Sequence, residues 1–224
     1  VTPTATIVNS VIFTNVDNES DTTYFMYDAS ARLIKTVKHY KDYLGAQALD
    51  VIAYEYKGSD SIIIYGDHIS DSTRIEVYAV GMNGYISKRI TTPTQQYSYN
   101  TSGHLVLTDQ GTDGNISWIV NGDGNATRRI LVPFYPGASD TTTYTFLTST
   151  NFANNTATGQ SFFGKSNTNL VNTESVSGLY FDPLFIGLAS HSITFSYSYE
   201  FDSEGRVTKQ TKTVTARNGS NLVN

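Results

Sequence analysis

The stretch YSYEFDSEGRVTKQ, residues 197–210, decides how the rest of the chain is read. Tyr197, Tyr199 and Phe201 alternate with Ser198 and Glu200, the period-two pattern of a strand with one face on a core. Asp202 can open a turn, because its carboxylate accepts hydrogen bonds from backbone amides a few residues on. Gly205 supplies a position of positive φ, often beside a bulge, and Val207 resumes the strand. The unit has the form Φ-x-Φ-[DN]-x-x-G-x-Φ, with Φ apolar, and reads as one β-hairpin.

The chain rewrites this phrase. YSYNTSGHL (97–105) and WIVNGDGNA (118–126) fit it, with Asn100 and Gly103 in one and Asn121 and Gly124 in the other. FMYDASARL (25–33) keeps Asp28 but has Ala31 in the glycine position. YAVGMNGYI (78–86) keeps Gly84 but has Gly81 in place of Asp, and YEYKGSDSI (54–62) keeps little beyond its aromatic pair. The second Φ recurs at Tyr27, Tyr56, Val80, Tyr99, Val120 and Phe201, at intervals of 29, 24, 19, 21 and 81 residues. A hairpin of two ordinary strands and two short turns takes about 20 residues. The last interval has room for about four such units, so further hairpins are expected inside it.

Six hairpins in sequence predict an all-β fold, an antiparallel up-and-down meander of about twelve or more strands. A sheet that long curls, so a closed or partly open water-soluble barrel is expected, as one domain over 1–224. Both faces of the returning strand after Gly205 carry charge, at Lys209 on one and Lys212 on the other, which a lipid-facing barrel would not tolerate. Leu33, Val37, Tyr40 and Leu44 stand at helical spacing, but the repeat predicts a strand there. Between 148 and 178 the alternation dissolves into Asn, Thr, Ser and Gly, which predicts a loop-rich excursion. The apolar PLFIGLA (183–189) that follows is a candidate plug or cap.

Composition excludes several classes of function. The 224 residues contain no cysteine, which removes disulfides, thiol nucleophiles, zinc–thiolate centres and iron–sulfur clusters. A net charge of −5 with no basic run argues against a nucleic-acid partner. No apolar run has the roughly 18 residues of a membrane-spanning helix. A chain beginning at Val1 and rich in Thr, Asn and Tyr reads as the mature form of an extracytoplasmic protein, expected to be a monomer.

The hairpins resemble two families. YEFDSEGRV is similar to the tyrosine–aspartate repeat of Rhs-type and teneurin shells. The recurrence of such hairpins every 20 to 30 residues around one sheet more closely resembles a family of extracytoplasmic lipoproteins from Gram-negative gut bacteria, of unknown function and porin-like fold. That resemblance runs from Tyr24 to Val214 and is poor over 127–191. It implies a secreted or lipid-anchored envelope protein and carries no functional residues across.

Few residues stand out chemically. The histidines at 39, 68, 104 and 191 have no metal-ligand spacing, and no cofactor, metal or catalytic residue is expected. NGDGNATRR places Asn121, Asp123 and Asn125 at alternate positions, as in a calcium loop, but lacks the bidentate Glu and reads better as a hairpin tip. Trp118, Tyr180, Phe181 and His191 are the candidate ligand-binding residues. The expected function is a non-enzymatic binding module for a glycan, peptide or amphiphile. The alternatives are a structural or adhesive scaffold with no small ligand, and a hydrolase with dispersed carboxylates.

Overall fold

The structure is a computed structural model and describes residues 10–14, 20–41, 45–68, 71–133, 137–151, 160–182, 187–205 and 207–218. The chain groups into two compact units, Val1–Thr94 with Phe152–Lys165, and Gln95–Asn151 with Ser166–Asn224. Unit one contains β1 (Ser10–Thr14), β2 (Ser20–Tyr27), β3 (Leu33–Lys41), β4 (Gln47–Lys57), β5 (Ser61–His68), β6 (Asp71–Val80) and β7 (Ile86–Arg89). Unit two contains β8 (Gln95–Tyr99), β9 (Leu105–Asp109), β10 (Gly114–Val120) and β11 (Ala126–Pro133). It continues through β12 (Ser139–Thr150), β13 (Asn169–Asp182), β14 (Gly187–Phe201) and β15 (Val207–Asn218).

Strand order follows chain order throughout, so the fold is the expected all-β antiparallel meander, with 15 strands in one sheet. Among the described residues β1 pairs only with β2 and β15 only with β14. No hydrogen-bonded pairing among these residues closes the sheet. Residues 33–41 are strand rather than helix, because β3 is paired on both edges, with β2 and with β4.

The repeated phrase does at each tip what its spelling requires. Asp28, Asn100, Asn121 and Asp202 each accept, through Oδ1, one or two hydrogen bonds from amides two to four residues on. In each of these turns the amide of the glycine position donates back to the carbonyl of the Asp or Asn. Gly103, Gly124 and Gly205 hold φ of 87°, 82° and 77°, and Ala31 is forced to 59° in the same position. The register shifts by one residue just before each turn, a bulge that adds local twist. Where Gly81 replaces Asp, Asn83 supplies the acceptor instead, bonding the Tyr85 amide at 3.1 Å.

Two expectations need correction. The interval between Val120 and Phe201 holds one further tip on this side of the sheet, not about four hairpins. It is filled by β11, β12, β13 and β14, of 8, 12, 14 and 15 residues. The loop-rich excursion is also shorter than 148–178, since β12 runs to Thr150 and β13 starts at Asn169.

Unit one closes over its own aromatic face. Tyr54 and Tyr56 of β4, Ile62 and Ile64 of β5 and Tyr78 of β6 share that face by register. A short 3-10 turn, Ser161–Phe163, lays Phe162 against Tyr54 and Tyr56, at ring separations of 6.1 and 6.3 Å, and Phe163 against Tyr78 at 6.4 Å. Phe162 is 5% exposed, and Leu33 and Ile86 are fully buried nearby in the same unit. Gln160 Nε2 donates to the Tyr54 hydroxyl at 3.3 Å, and the Tyr56 hydroxyl donates to the Leu33 carbonyl at 3.0 Å. Burial pushes the Tyr56 phenol up to about 12. Arg89, buried, bonds the Pro93 carbonyl through Nε and Nη2 and Glu76 through Nη1, which fixes the chain leaving β7.

The segment that caps unit one is thus SFFG at 161–164. The candidate plug PLFIGLA was the other apolar stretch in this region. Its residues 183–186 lie outside the described residues, and 187–189 are the first residues of β14.

Candidate functional site

Unit two builds the same kind of sheet face and leaves it uncapped by its own described residues. Register places Trp118, Arg129 and Thr142 in one row across β10, β11 and β12, continued by Val176 and Ile193 of β13 and β14. On one side lies the row Ile116, Leu131, Asp140, Gly178, His191. On the other lies Tyr144, Glu174, Phe195, Val214, and beyond it the pair Tyr197 and Lys212. The opposite face of the same strands is a ladder of hydroxyls, with Thr145 and Thr173 in contact at 2.7 Å and Ser175 and Thr194 at 3.2 Å. Alternation has therefore sorted the aromatic rings of these strands to one side and most of their Ser and Thr to the other.

The aromatic face is half-buried rather than packed. Trp118, Tyr144, Phe195, Tyr197 and Tyr199 all keep part of their surface in solvent, and the buried apolar residues of unit two are Ala138 and Leu170 among those described. Tyr199 donates to the Val171 carbonyl at 2.7 Å, and burial raises its phenol to about 12, with the neighbouring Tyr197 adding to the effect.

Two polar clusters sit on this face. In the first, Lys212 Nζ donates to Glu174 Oε2 at 2.8 Å, and the Tyr197 hydroxyl donates to the same oxygen. The ammonium also lies 3.9 Å from the centre of the Phe195 ring. Partial burial works to raise the Glu174 pKa, but the hydrogen bonds from Lys212 and Tyr197 outweigh it, so the carboxyl stays below its ordinary value. Lys212 is held above its ordinary value by the same bonds, against a burial effect of opposite sign. In the second cluster, His191 Nε2 stands 3.2 Å from Asp140 Oδ1.

The candidates named from sequence divide between these places. Trp118 and His191 lie on the aromatic face, half-buried, in adjacent rows. Tyr180 and Phe181 lie on β13 opposite Ala189 and Leu188, and their side chains fall outside the described residues. Glu174, Tyr197, Lys212, Tyr144, Arg129 and Asp140 were missed. The available signal was the alternation of Glu174, Val176 and Gly178 with Ser175 and Ser177, hidden because only Val176 of the first set is a large apolar residue.

NGDGNATRR is a hairpin tip with a structural task. Asn125 is 3% exposed, and its Oδ1 accepts from the Asn169 amide at 2.9 Å while its Nδ2 donates to Asn169 Oδ1 at 2.8 Å. Asn167 Oδ1 accepts from the Ala126 amide at 2.7 Å. These bonds tie the start of β13 to the β10–β11 tip. Among the described residues no group of three His, Asp or Glu side chains is placed to hold a metal ion, and no helix is long and apolar enough to cross a membrane.

The sequence matches no protein-family model and no curated protein.

Proposed function

We propose that the chain is a non-enzymatic binding module of the cell envelope and that the half-buried aromatic face of β10–β15 takes a glycan. The observation that carries this reading is the contrast between the two units. Unit one fills its aromatic face with Phe162 and Phe163, whereas the comparable face of unit two keeps Trp118, Tyr144, Phe195 and Tyr197 partly in solvent. Aromatic rings stack on the C–H faces of sugars, and convergent polar groups fix the hydroxyls. Glu174, Lys212, Asp140 and His191 on this face suit hydroxyl-rich ligands. An acyl chain would have to desolvate them without compensation, which disfavours an amphiphile.

The hydrolase alternative is weakened by spacing. A glycosidase needs two carboxyls about 5–10 Å apart. Asp140 and Glu174 lie in rows set by Gly178 and Glu174 on β13, four residues and so about 13 Å apart along the strand. Glu174 is also held by Lys212. The scaffold alternative suits unit one, whose aromatic face is packed by Phe162 and Phe163. The envelope setting rests on the resemblance of the hairpins to extracytoplasmic lipoproteins.

The test is an immobilised panel of oligosaccharides, peptides and lipids probed with the full chain and with a Phe195→Ala, Tyr197→Ala double variant. Binding to glycans that is lost in the variant supports the reading. Binding confined to lipids or peptides, or to nothing, overturns it.

A further inference from the structure

We infer that Arg129 forms an anion subsite on this face and that the preferred glycan is acidic, carrying a carboxylate or a sulfate. The inference rests on the glycan reading above and adds the charge class of the ligand.

Arg129 sits in the middle row of the face, between the rows that hold Asp140 and Glu174. Glu174 already has partners on other strands, Lys212 and Tyr197, and Asp140 faces the His191 imidazole at 3.2 Å. Among the described residues the Arg129 side chain has no ion pair and no hydrogen bond, although its charge reaches Glu174 and Tyr144. It is half-buried, as are its cross-strand neighbour Trp118 and Tyr144, two residues along β12 from its other cross-strand partner Thr142. A guanidinium partly withdrawn from water with no carboxylate in contact is costly, and an incoming anion relieves that cost. The planar fork of an arginine matches a carboxylate or sulfate through two parallel N–H···O bonds. Flat rings on neighbouring positions let a sugar ring stack while its acidic substituent reaches the fork.

The experiment compares two hexasaccharides of equal length, one with alternating glucuronate and one uncharged, by calorimetry on the full chain. The acidic hexasaccharide is expected to bind at least about tenfold more tightly, as one charge-assisted bidentate contact allows. That ratio should fall toward one in Arg129→Gln and persist in Lys209→Gln. The second variant removes the same charge from the opposite face, where Lys209 pairs with Glu200. Arg129→Lys, which keeps the charge and loses the fork, should show an intermediate ratio, and it carries the test if Arg129→Gln does not fold. Equal binding of the two sugars by the native chain, or a ratio unchanged in Arg129→Gln, overturns the subsite and leaves glycan binding standing. No binding of either sugar overturns the glycan reading and the subsite with it.

Discussion

His191 and Asp140 meet across a strand that belongs to neither of them. Asp140 lies on β12 and His191 on β14, and the residue between them on β13 is Gly178, opposite both. A β-carbon at position 178 would come within 2.2 Å of Asp140 Oδ1 and 2.1 Å of the Ser139 carbonyl oxygen. The glycine is therefore the opening through which the carboxylate reaches the imidazole at 3.2 Å.

Gly178→Ala should destabilise the protein by about 1–3 kcal/mol, the usual cost of forcing extra volume into a site with backbone on one side. Denaturant unfolding measures this. An unchanged midpoint would show that β12 and β13 separate more easily than the register implies.

The acid limb of stability should depend on Glu174. Its folded pKa is lowered, so its contribution is present above the ordinary carboxyl range and is lost as pH falls through the lowered value. Glu174→Gln should melt below the native chain at neutral pH, and the difference should vanish at strongly acidic pH. Lys212 acts at the other end: its raised pKa gives a contribution that is complete below its ordinary value and lost as pH rises through the raised one. Thermal melts across pH, on both proteins, read both limbs.

Ala31→Gly should stabilise the β2–β3 hairpin. Ala31 holds φ of 59°, where a side chain is strained, and the equivalent turns use glycine. Relief of that strain, less the extra unfolded-state freedom of glycine, leaves a gain of up to about 1 kcal/mol. A rise in the denaturant midpoint is expected, and a fall would place the strain elsewhere in the turn.

Phe162→Ala should cost about 3 kcal/mol or more, because it empties the contact with Tyr54, Tyr56 and Phe163. Loss of the cap should also let the Tyr56 phenol, now at about 12, ionise earlier in an ultraviolet titration.

Legibility in the sequence followed the locality of the physics. Hairpin tips are made by residues within five positions of one another, so Asp28, Asn100, Asn121 and Asp202 could be assigned turns from spelling alone, and even the misfit Ala31 keeps the geometry. Strand against helix at 33–41 was settled by the same local phrase. Residues 169–182 were not legible as a strand. Thr173 and Ser175 are polar because they form a hydroxyl ladder, and Glu174 is polar because Lys212, 38 residues on, pairs with it. The cap at Phe162 was missed because its partners lie more than a hundred positions away on β4. Trp118 and His191 were picked as aromatic and titratable residues, but nothing local placed them on one face with Arg129.

The central claim is that the aromatic face of unit two is open to a ligand. Trp118 is the single tryptophan of the chain and lies on that face beside Arg129, so its emission reports on the site directly. The most direct measurement is a titration of Trp118 fluorescence with acidic and neutral hexasaccharides. The account predicts a saturable change in emission together with reduced quenching by acrylamide, stronger for the acidic sugar. Emission and quenching unchanged at every concentration of both sugars would contradict it.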